Sequence, residues 1–147
     1  MRLILPLSAL LLSVTATAQT APPPPGTDVD RVTLHPGESV SFTLSPGTDH
    51  QLLHETRAST PHAITIRYRT DGARSVLTAV SRTGTPMMFT VLADPAGNGG
   101  FAPAGDVLLP GDGKPVTRVW PHPLGTINVG DFVGGPHGDH PHAPSGE

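Results

Sequence analysis

Three imidazoles and a carboxylate fall within six residues near the C-terminus, in Gly135-Pro136-His137-Gly138-Asp139-His140-Pro141-His142. Imidazole suits zinc, copper and nickel, and a segment rich in glycine and proline can wrap its nitrogen donors around one ion. His137, Asp139, His140 and His142 are therefore the candidate metal ligands, for Zn, Cu or Ni. Ligating histidines also need partners that orient their rings. The neighbouring glycines and prolines supply none, so the composition predicts weak binding without preference for one metal.

His50-Gln51-Leu52-Leu53-His54-Glu55 imitates the zinc-protease pattern, two histidines one helical turn apart with a glutamate base between them. Gln51 stands where the base must be, and the inverted pattern needs glutamate at Leu53. In an extended chain His50 and His54 lie about 13 Å apart, too far to chelate one ion. The protease reading is rejected. Met87-Met88 offers thioethers of the kind that select Cu(I), as in periplasmic copper carriers. Neighbouring strand residues point to opposite faces, so at most one of the pair can serve a given site. His122, between Pro121 and Pro123 and two residues after Trp120, reads as a rigid corner between strands. Asp28 and Asp30 flank Val29, but no calcium-loop pattern follows them. There is no Gly-x-Ser-x-Gly elbow and no cysteine. The chain therefore reads as non-enzymatic, with no catalytic residue and no bound cofactor beyond a weakly held metal.

The residues that must deliver this chain to its place of work come first. Arg2 is followed by an apolar run over 3–12, then by Ala16-Thr17-Ala18, the small-x-small pattern cut by signal peptidase. The run is too short to span a bilayer, which takes about 20 residues, and Pro6 interrupts it. Cleavage after Ala18 leaves 129 residues, one domain by size. The compartment is bacterial periplasm or full secretion. The absence of cysteine excludes a disulfide framework and a lipid-bearing cysteine, so the core must hold the fold unaided. Losing Arg2 with the signal leaves eight basic against twelve acidic residues. That balance excludes a nucleic-acid-binding surface, which needs clustered cations. The expected partner is an envelope protein or polymer.

Eighteen prolines and 17 glycines concentrate at the ends and between apolar segments. The stretch 19–29 reads as a proline-rich linker, 30–133 as the folded domain and 134–147 as a His/Gly/Pro-rich tail. The tail carries no large apolar residue and cannot offset the entropy of ordering, so it is expected to be disordered. Within the domain the period is two. Val40, Phe42 and Leu44 alternate with Ser39, Ser41, Thr43 and Ser45, and Ile64, Ile66 and Tyr68 alternate with Thr65, Arg67 and Arg69. His35-Pro36-Gly37-Glu38 and Ser45-Pro46-Gly47-Thr48 read as turns with proline second and glycine third. Further strands are expected over 76–81, 87–93, 107–109, 116–120 and 126–132. A long loop is expected over 94–106, with Phe101 as its anchor.

No stretch of the mature chain carries an uninterrupted helical stripe. Seven or eight short strands predict an all-β fold, a small antiparallel β-sandwich of Greek-key or Ig-like type with disordered N- and C-terminal tails. The expected core is Val40, Phe42, Leu44, Ile64, Ile66, Tyr68, Leu77, Phe89, Val91, Val119 and Ile127. The segment from Val32 to Leu44, with its Pro36-Gly37 turn, resembles the opening hairpin of exported bacterial β-sandwich modules such as prepeptidase C-terminal-type domains. That resemblance spans 13 residues and implies the architecture without implying a role. Binding is expected at the 94–106 loop, at the 120–124 corner or along a sheet edge. Export predicts that the chain recovered outside the cytoplasm begins at Gln19. Intact-mass measurement of the exported form checks this, and a product retaining Met1 would refute it.

Overall fold

A computed structural model describes residues 28–47 and 51–134. The described chain is all-β and contains no helix. Ten strands run in order: β1 Asp28–Val29, β2 Arg31–Leu34, β3 Ser39–Pro46, β4 Gln51–Glu55 and β5 Ile64–Asp71 are the first five. They are followed by β6 Arg74–Ser81, β7 Met87–Asp94, β8 Ala102–Leu109, β9 Pro115–Trp120 and β10 Thr126–Gly134. The strands pair antiparallel in the order β8-β7-β10-β4-β3-β5-β6-β9. β1 is added on β4 and β2 on β10.

The alternation in β3 and β5 has its expected consequence. Phe42, Ile64, Ile66 and Tyr68 are fully buried, and Ser41, Thr65 and Arg67 between them face outward. Gly37, at φ 96°, occupies the left-handed position that the third residue of a type II turn requires, and Glu38 N–H closes the turn on His35 O at 3.1 Å. β8 and β9, the two ends of the strand order, are joined by residues 110–114 alone. The sheet therefore curls until its ends face each other, and the molecule is nearly a barrel. The Trp120 indole N–H crosses that seam to Ala104 O at 2.9 Å.

The two halves of the sheet meet around Phe132. In β10, Ile127 and Val129 point inward, so strict alternation would place Asp131 in the core. The β10–β7 pairing instead shifts register between Gly130 and Val133, with Asp131 at φ 53°. The extra residue turns Asp131 out to Arg31, 2.6 Å from its guanidinium, and turns Phe132 in. Phe132 packs edge-on against Phe42 of β3 at 5.2 Å and stacks on Phe89 of β7 at 5.1 Å. A side chain at Gly130 would run into Arg31 Cγ at 2.4 Å, so only glycine lets β2 pass there.

Eight of the eleven expected core residues are buried, while Val40 and Leu44 are half-buried and packed against the core. Val119 is a correction: it is 48 % exposed. The indole of Trp120 fixes the phase of β9, so Val119 joins Thr117 on the outer face, beside Val76. The 94–106 loop is a second correction, since it stops at Phe101 and β8 begins at Ala102. Gly105 (φ 129°) sits where the β7–β8 register shifts, which lets the Gly/Pro/Ala segment pair with β7. Pro103 is tolerated because β8 has β7 as its one paired neighbour. Asp28 and Val29, at the end of the 19–29 stretch, pair with His54 and Leu53.

Phe132→Ala should destabilise the fold by about 3–5 kcal/mol, the range for a large buried aromatic. Val133→Ala, its exposed neighbour, should stay within ~0.5 kcal/mol. Denaturant unfolding of both variants checks this, and equal midpoints would remove Phe132 from its joining role.

Candidate functional site

His137, Asp139, His140 and His142 lie outside the described residues, as do residues 1–27, with the expected export signal, and His50. Among the described residues no group of three or more His, Asp or Glu side chains lies close enough together to hold a metal ion. His54 lies on strand β4, so it has none of the helical geometry of a zinc protease. Its Nδ1 is 3.1 Å from Asp28 Oδ1, and Ser45 Oγ approaches the other Asp28 oxygen at 3.5 Å. The carboxylate thus stands between hydroxyl and imidazole, the reverse of the order that activates a nucleophile. Met87 is buried and Met88 exposed, as their adjacency on one strand demands. His122 is exposed in the corner between β9 and β10.

Buried polar groups hold loops in place. Tyr68 OH donates to Gly125 O at 2.9 Å, and Ser75 Oγ accepts the Leu124 N–H at 2.9 Å while lying 3.3 Å from Tyr68 OH. Asp94, 3 % exposed, accepts the backbone N–H groups of Asn98 and Gly99 and so ties down the 95–101 loop. Gly125 (φ 66°) allows the corner to press on this loop, because a side chain there would meet Asp94 O at 2.3 Å. No buried side-chain polar atom among the described residues lacks a partner.

Two surface features are left over by these structural duties. The first is an apolar row. Met88 of β7 stands opposite Leu108 of β8 on one side and Val133 of β10 on the other. They are 39 %, 65 % and 44 % exposed, and with Val119 they are the exposed large apolar side chains of the described chain. The second is a cleft of about 170 Å³ at one end of the sheet. Leu44 and Met87 give it apolar walls, and Gln51, His62, Thr83 and Gly134 border it. Small-molecule sites usually enclose some 300–1,000 Å³, so this cleft suits a single side chain or a small ion-binding group. Neither feature was singled out in the sequence, because each joins residues far apart in the chain.

On the opposite outer face, Arg67 and Arg69 stand among Ser39, Ser41, Thr65 and Thr78. At the adjacent turn the Glu38 carboxylate accepts the His35 N–H at 2.7 Å and lies 3.2 Å from the His35 ring. That backbone hydrogen bond holds the Glu38 pKa below the ordinary glutamate value, against an opposing effect of burial and with help from the ring. The Lys114 N–H lowers Asp112 in the same way.

No protein-family model matches this chain, and comparison with curated proteins and with solved structures finds no similar protein.

A carboxylate whose pKa is lower folded than unfolded stabilises fully above the unfolded value, and the effect is lost as pH falls through the folded one. Glu38→Gln should therefore lower the unfolding midpoint at neutral pH, with the difference from the parent vanishing once the pH passes below the Glu38 midpoint. A carbon-detected titration of the Glu38 carboxyl locates that midpoint. A value at or above that of free glutamate would overturn the assignment.

Proposed function

We propose that the mature chain is an exported, non-enzymatic binding module of the bacterial cell envelope that docks a protein partner on the outer face of β10, β7 and β8. One observation carries this reading. Of the four exposed large apolar side chains in the described chain, Leu108, Met88 and Val133 stand side by side across three strands. Single exposed apolar residues are ordinary on a soluble protein, whereas a contiguous row marks a surface that another protein covers. Docking on the face is favoured over strand addition, because Pro103 and the irregularity at Gly105 interrupt the donor row along β8. The Asp94-tethered loop and the His122 corner would flank such a partner rather than carry its energy. Export to the periplasm or beyond follows from residues 1–18 and belongs to the same proposal.

The finer architecture is also part of it. A Greek-key sandwich is supported by the two ladders, β1-β4-β3-β5-β6-β9 and β2-β10-β7-β8, which share a single paired position between β4 and β10, Phe132 opposite Gln51.

A photo-crosslinking amino acid placed at Met88 should give a discrete adduct in the envelope of the producing cell. The same group at Thr78, on the opposite outer face, should give none. Leu108→Glu should abolish the adduct while moving stability by less than ~0.5 kcal/mol. Equal labelling from both faces, or an adduct insensitive to Leu108→Glu, would refute the docking face.

A further inference from the structure

The apolar row on the outer face of β8, β7 and β10 lies beside a polar one. Asp106 of β8 pairs with Thr90 of β7, Thr90 with Gly130 of β10, and Gly130 with Arg31 of β2. Phe89 and Val91 are buried, so Thr90 shares the outer face with Met88, and its hydroxyl donates to Asp106 Oδ1 at 2.9 Å. Gly130 adds no side chain of its own. Arg31 covers it instead, its Cγ filling the space that a Cβ at Gly130 would need. One flank of β7 thus presents a carboxylate and the other a guanidinium. Asp131 bonds one guanidinium nitrogen, and among the described residues no further side-chain bond takes up the remaining donors.

Such a face is complementary to a second copy of itself. A half-turn about an axis lying on the face along β7 brings β8 of one copy over β10 of the other. Leu108 then meets Val133 of the second copy, Met88 meets Met88, and Asp106 stands over the Gly130 position that Arg31 covers. Two-fold symmetry makes each unlike contact twice. Six apolar side chains leave water together, and an Asp106–Arg31 pair closes each flank. The face spans four strands at a spacing of about 4.8 Å, the longest of nine residues, which bounds it at roughly 19 by 30 Å. That is less than the ~800 Å² per partner of a stable complex, so the association it supports is weak and concentration-dependent.

We propose that the partner docked on this face is a second copy of this chain, in a two-fold dimer with β7 at its centre. The inference rests on the docking face argued above and adds the identity of its occupant. The apolar side chains supply the binding. The two Asp106–Arg31 pairs lie at the rim, where opposite charges fix register and select the partner more than they add affinity.

Sedimentation equilibrium of the chain from Gln19 to Glu147 tests this. A monomer–dimer equilibrium is expected, with a dissociation constant between about 10 μM and 1 mM. Asp106→Arg and Arg31→Glu should each weaken it at least about tenfold, because each sets like charges against one another twice. An equimolar mixture of the two should associate again, since both flanks of the mixed dimer carry opposite charges. Arg31 also holds Asp131, so a second pair keeps the test independent of folding at that site. Leu108→Lys and Val133→Glu, both at exposed positions, should each fail to self-associate and should bind one another. Thr78→Glu, on the opposite face, should change nothing. Mixtures no tighter than their separate components would overturn the two-fold arrangement. A chain that stays monomeric throughout, with an envelope adduct at Met88 whose mass differs from twice that of the chain, would overturn the dimer and leave the docking face standing. A monomer with no adduct would overturn both.

Discussion

Everything in this fold turns on the irregularity at Gly130 and Asp131. A strand has two faces and an alternation of two, so an inserted residue exchanges inside for outside from that point on. Here the exchange expels an aspartate and admits Phe132. Two aromatic contacts follow, one to β3 and one to β7. The same step moves β10 from its partner β2 to its partner β4. A chain without disulfides thereby joins the two parts of its sheet by aromatic packing around Phe132, with a single paired position and a few hydrogen bonds beside it.

The remaining constraints are local and of a different kind. Hydroxyls and carboxylates are used to fasten connections: Ser75 and Tyr68 hold the corner before β10, and Asp94 holds the loop before β8. Each such bond is worth on the order of 1 kcal/mol when made, and leaving its buried partner unpaired costs more. This explains how a chain so rich in glycine and proline encloses a core. Loose segments are tied to buried side chains of neighbouring strands, and the interior is filled mainly by Phe, Ile, Leu and Val with Tyr68, Met87 and Trp120 among them.

The strands with strict alternation, β3 and β5, were legible in the sequence, as was the turn between β2 and β3. Their patterns are complete within eight residues. Val119 was misassigned because two neighbouring apolar residues, Val119 and Trp120, leave the phase of a short strand open, and only the larger one settles it. β8 was misjudged in its first half because Pro103 and Gly105 carry turn chemistry, and it takes pairing to a partner strand to override that. Phe132 was absent from the expected core for a related reason: Gly130-Asp131 breaks the alternation that would have pointed to it. The apolar row and the cleft were not legible at all. Met88 could be placed outside or inside from its neighbour, but the meeting of Leu108, Met88 and Val133 depends on register across three strands. His62 lies in a short polar turn with no local pattern to distinguish it.

The chain's only tryptophan sits in the seam between β8 and β9. The residue is 6 % exposed, with the Arg118 guanidinium 5.9 Å from the ring centroid. An indole in that position senses polarity and a nearby cation at the one place where the curled sheet closes on itself without a continuous ladder. Indole emission, excited at wavelengths that pass over Tyr68, is therefore a single-site optical gauge of seam opening. It reports parting of β8 from β9 at the seam itself.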